Sequence, residues 1–249
     1  MLLRRVMEHV RTQNWLAVAL DFLIVVAGVF IGIQVSNWNE ARNNQLREGA
    51  YLQRLHDEAE GGLQGILKTT DEAWTGYLAN MVDVIAMIDE DPARLSQITS
   101  DQCKALTNLS GIIGFPYQFP TLEELIASGN LDLITHRELR YLLTDYAYMQ
   151  KNSGSLVEYF AGTREDIVVM YPEYILADFS VSDHRLIRDY VCRGDLMAQD
   201  PRFLTHLQNA AARFEGYYNI VLRPEVDGVR AIHELLDELL GIEHAEDAP

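Results

Sequence analysis

The chain has 249 residues, of which 48% are hydrophobic, and its 37 acidic against 20 basic residues give a formal net charge of -17. An acidic chain repels nucleic acid and anionic lipid, so a nucleic-acid-binding protein is not expected. The length is sufficient for one sizeable hydrophobic core or two small ones.

The first element along the chain is an apolar run from Trp15 to Val35, WLAVALDFLIVVAGVFIGIQV. A helix of about 21 residues is roughly 31 Å long, which matches the hydrocarbon thickness of a bilayer. The run therefore predicts one transmembrane helix over residues 15–35, with the lipid bilayer as its surroundings. No small-residue cleavage site follows it convincingly, which favours an uncleaved anchor over a removed signal peptide.

The charges before the run predict the orientation of this helix. Three basic residues and one acidic residue precede it: Arg4, Arg5, Arg11 and Glu8. Basic flanks stay in the cytoplasm. We therefore expect residues 1–14 to form a cytoplasmic basic tail and residues 36–242 to form an extracytoplasmic domain, which is periplasmic for a bacterial inner membrane. Residues 243–249 are expected to be an acidic, disordered tail.

A polar segment follows the run directly and consists of Asn37, Trp38, Asn39 and Glu40. Tryptophan is enriched where a membrane meets water, and Trp15 with Trp38 would flank the span on its two sides. We interpret the segment as a membrane-interface motif.

Asp21 is the unusual residue of the run, because an ionised carboxylate at the bilayer centre costs about 2.5–3.5 kcal/mol, and less at a shallow depth. On a helix, Gly28 and Gly32 lie within about 20° of Asp21. We call these three positions the Asp21 strip. Small residues allow a second helix to approach, and a carboxyl group can hydrogen-bond across the contact. The strip thus predicts packing against a second copy or another membrane protein. The alternatives are a chance glycine pair and a shallow Asp21 that faces headgroups and water.

The rest of the chain predicts an all-α fold, in which the transmembrane helix continues into a helical bundle. Apolar residues recur at spacings of three and four, which is typical of amphipathic helices, and strand-like alternation appears nowhere over a useful length. The first helix is expected to continue to about Thr70. Further helices are predicted over residues 71–88, 136–160, 182–191, 201–220 and from Pro224 onward.

Two T-x-x-E patterns predict capping boxes at helix starts, and they are Thr121 with Glu124 and Thr135 with Glu138. Between them, Gly129 suits the left-handed position that ends a helix. We interpret Ser128, Gly129 and Asn130 as a structural turn. The functional alternative is that Ser128 and Asn130 offer polar groups to a ligand.

The two cysteines, Cys103 and Cys192, both follow the span. In an oxidising compartment a disulfide between them would persist, and we favour this bond over two buried free thiols.

The sequence predicts no enzyme, no cofactor and no metal site. It contains no GxSxG elbow, Walker loop or dinucleotide-binding glycine motif. The seven histidines form neither HExxH nor a histidine pair at i, i+4, and they are His9, His56, His136, His184, His206, His233 and His244. A site assembled from distant histidines stays open but is not predicted.

Two segments, LDFLIVVAGVFIGIQVSNWNEARNNQ and TLEELIASGNLDLITHRELRYLLTDY, resemble an uncharacterised family of bacterial membrane proteins with a domain of unknown function. Its members share an acidic residue early in an N-terminal span, an Asn-Trp-Asn-Glu motif and a later Ser-Gly-Asn-Leu segment. This chain departs from that pattern with Asp21 where Glu is usual and Ser36 where Asn is usual. The resemblance covers about a quarter of the chain. It implies the membrane topology and no particular activity.

Two functional hypotheses follow. The first is a non-enzymatic, membrane-anchored helical module that self-associates or binds a partner through the Asp21 strip. The second is a subunit of an ion-driven inner-membrane complex in which Asp21 carries protons. Its layout is similar to that of single-span stator subunits, although the external domain lacks their folds and a multi-span partner would be required. An extracytoplasmic enzyme is the third and least supported reading.

Overall fold

The computed structural model describes residues 15–111, 117–163, 165–182 and 184–244. The predicted cytoplasmic tail, residues 1–14, lies outside the described residues, and so do residues 245–249 of the predicted acidic tail. The chain divides into two compact units, Met1–Ala50 and Tyr51–Pro249.

The described part of the first unit is helical and belongs to helix α1, which spans Trp15–Gln64. Its large apolar side chains between residues 20 and 35 are all exposed, and they are Leu20, Phe22, Leu23, Ile24, Val25, Val26, Val29, Phe30, Ile31, Ile33 and Val35. Among the described residues, α1 is the one helix long and apolar enough to cross a membrane.

Helix α1 ends at Gln64, earlier than the predicted end near Thr70. Gly65 leaves the helical conformation with φ -98° and ψ -116°, and helix α2 (Ile66–Glu90) begins directly after it. A Cβ at residue 65 would lie 2.8 Å from the carbonyl oxygen of Gly61, so the break requires glycine. The apolar spacing continues across the break, which is why periodicity alone misplaced it.

The second unit is mostly helical. After α2 its helices are α3 (Ser100–Thr107), α4 (Pro120–Ala127), α5 (Arg137–Gly162), α6 (Ile167–Met170), α7 (Gly194–Met197), α8 (Pro201–Tyr217) and α9 (Arg223–Leu240). Short 3-10 helices cover Pro92–Gln97 and Leu131–Leu133. A π-helical turn, Tyr218–Leu222, joins α8 to α9.

The prediction of an all-α fold is wrong between α6 and α7, where the chain forms an antiparallel hairpin of strands β1 (Ile175–Ser182) and β2 (Arg185–Cys192). The predicted helix over residues 182–191 is wrong, because Ser182 ends strand β1 and residues 185–191 belong to strand β2. Ser182 pairs with Arg185, and His184 in the connection has a positive φ of 61°. A positive φ at His184 is typical of the tight turns that join paired strands, so this residue belongs to a hairpin connection rather than to the predicted helix.

Two hydrophobic clusters form the core of the second unit. In the first, α2 and α8 pack through Trp74, Val84, Phe203 and Phe214, and the ring of Trp74 stacks on Phe214 with 4.9 Å between centroids. The second cluster joins the end of α1 to α4, α5 and α9, and its fully buried members include Leu55, Ala59, Leu125, Leu139, Val229 and Ile232.

The predicted capping box of Thr121 and Glu124 is wrong. Helix α4 has Phe119 at its N-cap, and Thr121 instead faces Glu58 of α1. The Thr121 hydroxyl donates to Glu58 Oε1 at 2.6 Å, and its backbone N–H lies 3.2 Å from Oε2. Glu124 accepts from Arg54 at 2.8 Å. A carboxylate from α1 thus satisfies an amide at the start of α4, which local sequence cannot reveal.

The second predicted cap, at Thr135 and Glu138, is displaced by one residue. Helix α5 begins at Arg137, and its N-cap is His136, whose Nδ1 accepts from the N–H of Leu139 at 3.3 Å.

The turn at Ser128, Gly129 and Asn130 closes α4 as a Schellman motif. Gly129 has a φ of 68°, its N–H donates to Ile126, and the N–H of Asn130 donates to Leu125 at 2.9 Å. The Ser128 hydroxyl donates to the carbonyl of Glu124, and the Asn130 side chain donates to that hydroxyl. Both polar side chains are thus used within the turn.

Cys103 of α3 and Cys192 of β2 form a disulfide bond with an S–S distance of 2.08 Å. The bond ties the last residue of the hairpin to α3 and closes a loop with a sequence separation of 89.

Candidate functional site

The first candidate is the Asp21 strip on α1. Asp21, Gly28 and Gly32 are all exposed, and a Cβ built on either glycine would meet no atom within 4 Å. The surface of the first unit therefore has room at these positions for another helix. Residues 37–40, which we interpreted as an interface motif, continue α1 without a break and are also exposed.

The second candidate is a cluster of four side chains within the second unit, which we call the histidine cluster. It consists of His56, His233, Asp237 and His244. Its backbone is fixed by the second core. His56 directly follows the buried Leu55, whereas His233 and Asp237 flank the buried Leu236 on one face of α9. His244 lies just after the helix, which ends at Leu240 and is followed by Gly241 with a left-handed φ of 66°.

The Asp237 carboxylate is the centre of the cluster. Its Oδ1 lies 2.9 Å from His56 Nε2 and 3.0 Å from His244 Nε2, and its Oδ2 lies 3.2 Å from His233 Nδ1. One potential ligand atom from each of the four side chains lies within 4.8 Å of the other three. The rings pack together as well, with 4.9 Å between the centroids of His56 and His233.

Burial within the cluster is graded. The His56 side chain is 4% exposed, His233 12%, Asp237 17% and His244 44%. Burial lowers the pKa of His233, while the neighbouring Asp237 carboxylate acts in the opposite direction. A depressed pKa favours the neutral imidazole, which is the form that coordinates metal ions.

A second carboxylate supports His56 from outside the cluster. The Nδ1 of His56 lies 3.4 Å from Asp57 Oδ1, while the Nε2 of His56 faces Asp237. Hydrogen bonds from Gln53 and then from His56 lower the pKa of Asp57 and keep it ionised. This arrangement orients the imidazole ring in the way that outer carboxylates orient metal-binding histidines.

Sequence reasoning missed the histidine cluster, since it predicted no metal site. The available signal was His233 with Asp237, an i, i+4 pair that shares one face of a helix. Searching for histidine pairs alone overlooked it. Nothing in the sequence placed His56, which lies 181 residues before Asp237. None of the side chains singled out from the sequence as site residues belongs to this cluster.

A third feature is the buried carboxyl group of Glu225 on α9, which is 5% exposed. The backbone N–H of Tyr117 donates to it. Burial raises its pKa to about 7, and that hydrogen bond acts in the opposite direction. The Tyr117 carbonyl accepts from the hydroxyl of Tyr146 at 2.7 Å, so these contacts tie residue 117 to both α5 and α9.

Comparisons with protein-family models, with curated proteins and with solved structures found no match to this chain.

Proposed function

We propose that the protein is a membrane-anchored helical module that uses the apolar part of α1 as a single transmembrane anchor. We further propose that this anchor self-associates or binds another membrane protein through the Asp21 strip. The observation that carries the proposal is the exposure of every large apolar side chain between Leu20 and Val35. Burying apolar surface is worth about 25 cal/mol per Å², so a continuous exposed apolar helix is strongly favoured in lipid over water.

Two observations support a periplasmic second unit. The basic residues Arg4, Arg5 and Arg11 precede the apolar run, and such charges favour a cytoplasmic N-terminus. The disulfide between Cys103 and Cys192 is of a kind that persists in oxidising compartments and is rare in the cytosol. A bacterial inner membrane with the second unit on its periplasmic side satisfies both.

The association through α1 is supported by the coincidence of small and polar positions on one strip. Close packing at Gly28 and Gly32 would bring two backbones together, and Asp21 could then donate or accept a hydrogen bond across the contact. A charged or polar group in a span normally faces another helix or water rather than lipid tails.

The test is the oligomeric state of the full chain in mild detergent, measured by light scattering and by cross-linking in membranes. We expect an oligomer that dissociates when Gly28→Ile and Gly32→Ile are combined. The matched control combines Val26→Ile and Phe30→Ile, which place isoleucines on the opposite face of α1 and should leave the oligomer intact. A wild-type chain that is monomeric in detergent and forms no cross-links in membranes, or a double glycine variant whose oligomer and cross-links are unchanged, would rule out the association.

The alternative is an ion-driven complex in which Asp21 carries protons, and the observation in its favour is an exposed carboxyl group inside the apolar stretch. Asp21→Asn separates the two proposals. Intact assembly with lost ion-coupled activity favours proton transfer, whereas lost assembly favours an interhelical hydrogen bond.

A further inference from the structure

We propose that His56, His233, Asp237 and His244 bind a divalent transition-metal cation, and that Zn²⁺ is the cation whose chemistry fits best. The site belongs to the second unit and does not depend on how α1 associates.

The ligand atoms are near enough to one another for one cation to contact all four. With zinc bonds of about 2.0–2.2 Å, neighbouring ligand atoms in a tetrahedron are roughly 3.3–3.6 Å apart. Asp237 Oδ1 lies 2.9 Å from His56 Nε2 and 3.0 Å from His244 Nε2, slightly less than that edge, and separations within the set extend to as much as 4.8 Å. The side chains would therefore move by about an ångström to close around the ion.

The donor set selects the class of cation. Three imidazoles and one carboxylate suit Zn²⁺ and its neighbours among the transition metals. Mg²⁺ and Ca²⁺ prefer oxygen ligands and higher coordination numbers, so this set discriminates against them. Four protein ligands leave no open position in a tetrahedron, which predicts a structural role rather than a catalytic one.

Two further observations point to a ligand at this place. Nε2 of His233 is buried and has no hydrogen-bond partner among the described residues, although buried polar atoms are nearly always paired. Because Nδ1 of the same ring faces Asp237 Oδ2, Nε2 is the nitrogen of His233 that remains available to a cation. His56 already has the outer carboxylate, Asp57, that aligns a metal-binding imidazole.

Metal binding would cross-link three segments of the second unit. It would join the end of α1 through His56, the helix α9 through His233 and Asp237, and the segment after α9 through His244. Because His244 is the most exposed ligand and lies beyond the helix end, it is the member that can be replaced with the least effect on the core.

The experiment uses full-length protein made without a polyhistidine tag, solubilised in detergent and stripped with a chelator. Zn²⁺ is then added during calorimetry against a competing chelator of known affinity, with Mg²⁺ in a parallel titration. We expect one Zn²⁺ per chain, micromolar or tighter affinity, a thermal midpoint several degrees higher with Zn²⁺, and no comparable response to Mg²⁺.

His244→Ala and Asp237→Asn should each weaken Zn²⁺ binding at least about tenfold, and His244→Cys should restore much of it. His184→Asn is the matched control, because His184 is an exposed histidine outside the cluster and asparagine tolerates its positive φ. Far-UV circular dichroism establishes that each variant is folded. Equal Zn²⁺ affinity for the wild type, His244→Ala and Asp237→Asn would overturn the proposal and leave the cluster as a hydrogen-bonded network only.

Discussion

Glu225 shows how the surroundings of a single residue create a pH dependence. The unfolded chain holds this carboxyl group near a pKa of 4.5, whereas burial raises the pKa to about 7 in the folded chain. Between these values the folded state binds a proton that the unfolded state has released. Its contribution to stability is therefore fully present below about pH 4.5 and is lost as the pH rises to about 7.

Glu225→Gln should remove this dependence, because glutamine keeps an oxygen for the Tyr117 N–H and cannot ionise. We expect the variant to resemble the wild type near pH 5 and to be more stable at pH 8, by on the order of 2–3 kcal/mol. Urea denaturation at both pH values measures the difference. Glu238→Gln, at an exposed position of the same helix, is the control. Equal gains at pH 5 and pH 8 would contradict the assignment.

Prediction at the residue scale succeeded where the cause was local. The left-handed conformation of Gly129 follows from a short segment with a helix before it and a polar turn after it. The cap predicted at Thr121 was wrong because the cause there is not local. The Thr121 hydroxyl donates to Glu58 of α1, which lies 63 residues earlier in the chain.

Among the secondary-structure elements, the β1–β2 hairpin is the one whose type was predicted wrongly. Phe179 and Val181 alternate with serines, which is a strand pattern, but the run is short and its turn residues also fit a helix start. The strands expose apolar side chains on both faces: Phe179 and Val181 on one, and Leu176 and Ile187 on the other. Without one buried face, the alternation of apolar and polar residues is weak, which explains the wrong prediction.

The disulfide attaches the hairpin covalently to α3. Removing both cysteines as Cys103→Ala with Cys192→Ala should lower the free energy of unfolding by about 2–5 kcal/mol, because a long closed loop restricts the unfolded chain. Denaturation without reductant measures the loss. Adding reductant should weaken the wild type by a similar amount and leave the double variant unaffected. A double variant as stable as the oxidised wild type would contradict this expectation.

At the scale of the whole molecule, both hydrophobic cores lie within residues 51–249. The second core uses the end of α1 through Leu55 and Ala59, so the domain includes those turns of the helix. The described side chains of the first unit include exposed apolar residues and none of the buried core residues. We therefore expect folding of the second unit to be separable from the proposed membrane anchoring.

A chain shortened to residues 51–249 should remain in the supernatant after ultracentrifugation without detergent and should keep its helical circular dichroism. The full chain should sediment with membranes and require detergent, because it retains the apolar helix. A shortened chain that aggregates would contradict the separation of the two properties. A full chain found in the soluble fraction would contradict the membrane anchor.

Four features could be predicted from local sequence, and they are the apolar N-terminal helix, the mostly helical character of the chain, the Gly129 turn and the pair of cysteines available for bonding. Each of these follows from spacing or residue type within a short window, where helical periodicity and turn chemistry act directly. The tertiary structure was needed to find the contact of Glu58 with Thr121, 63 residues apart, and that of His56 with Asp237, 181 residues apart. Both depend on which helix faces pack together in the second core, and residues so far apart leave no local pattern to read. The break at Gly65 is local, because a Cβ there would meet the carbonyl oxygen of Gly61, but the apolar spacing that continues across it conceals it.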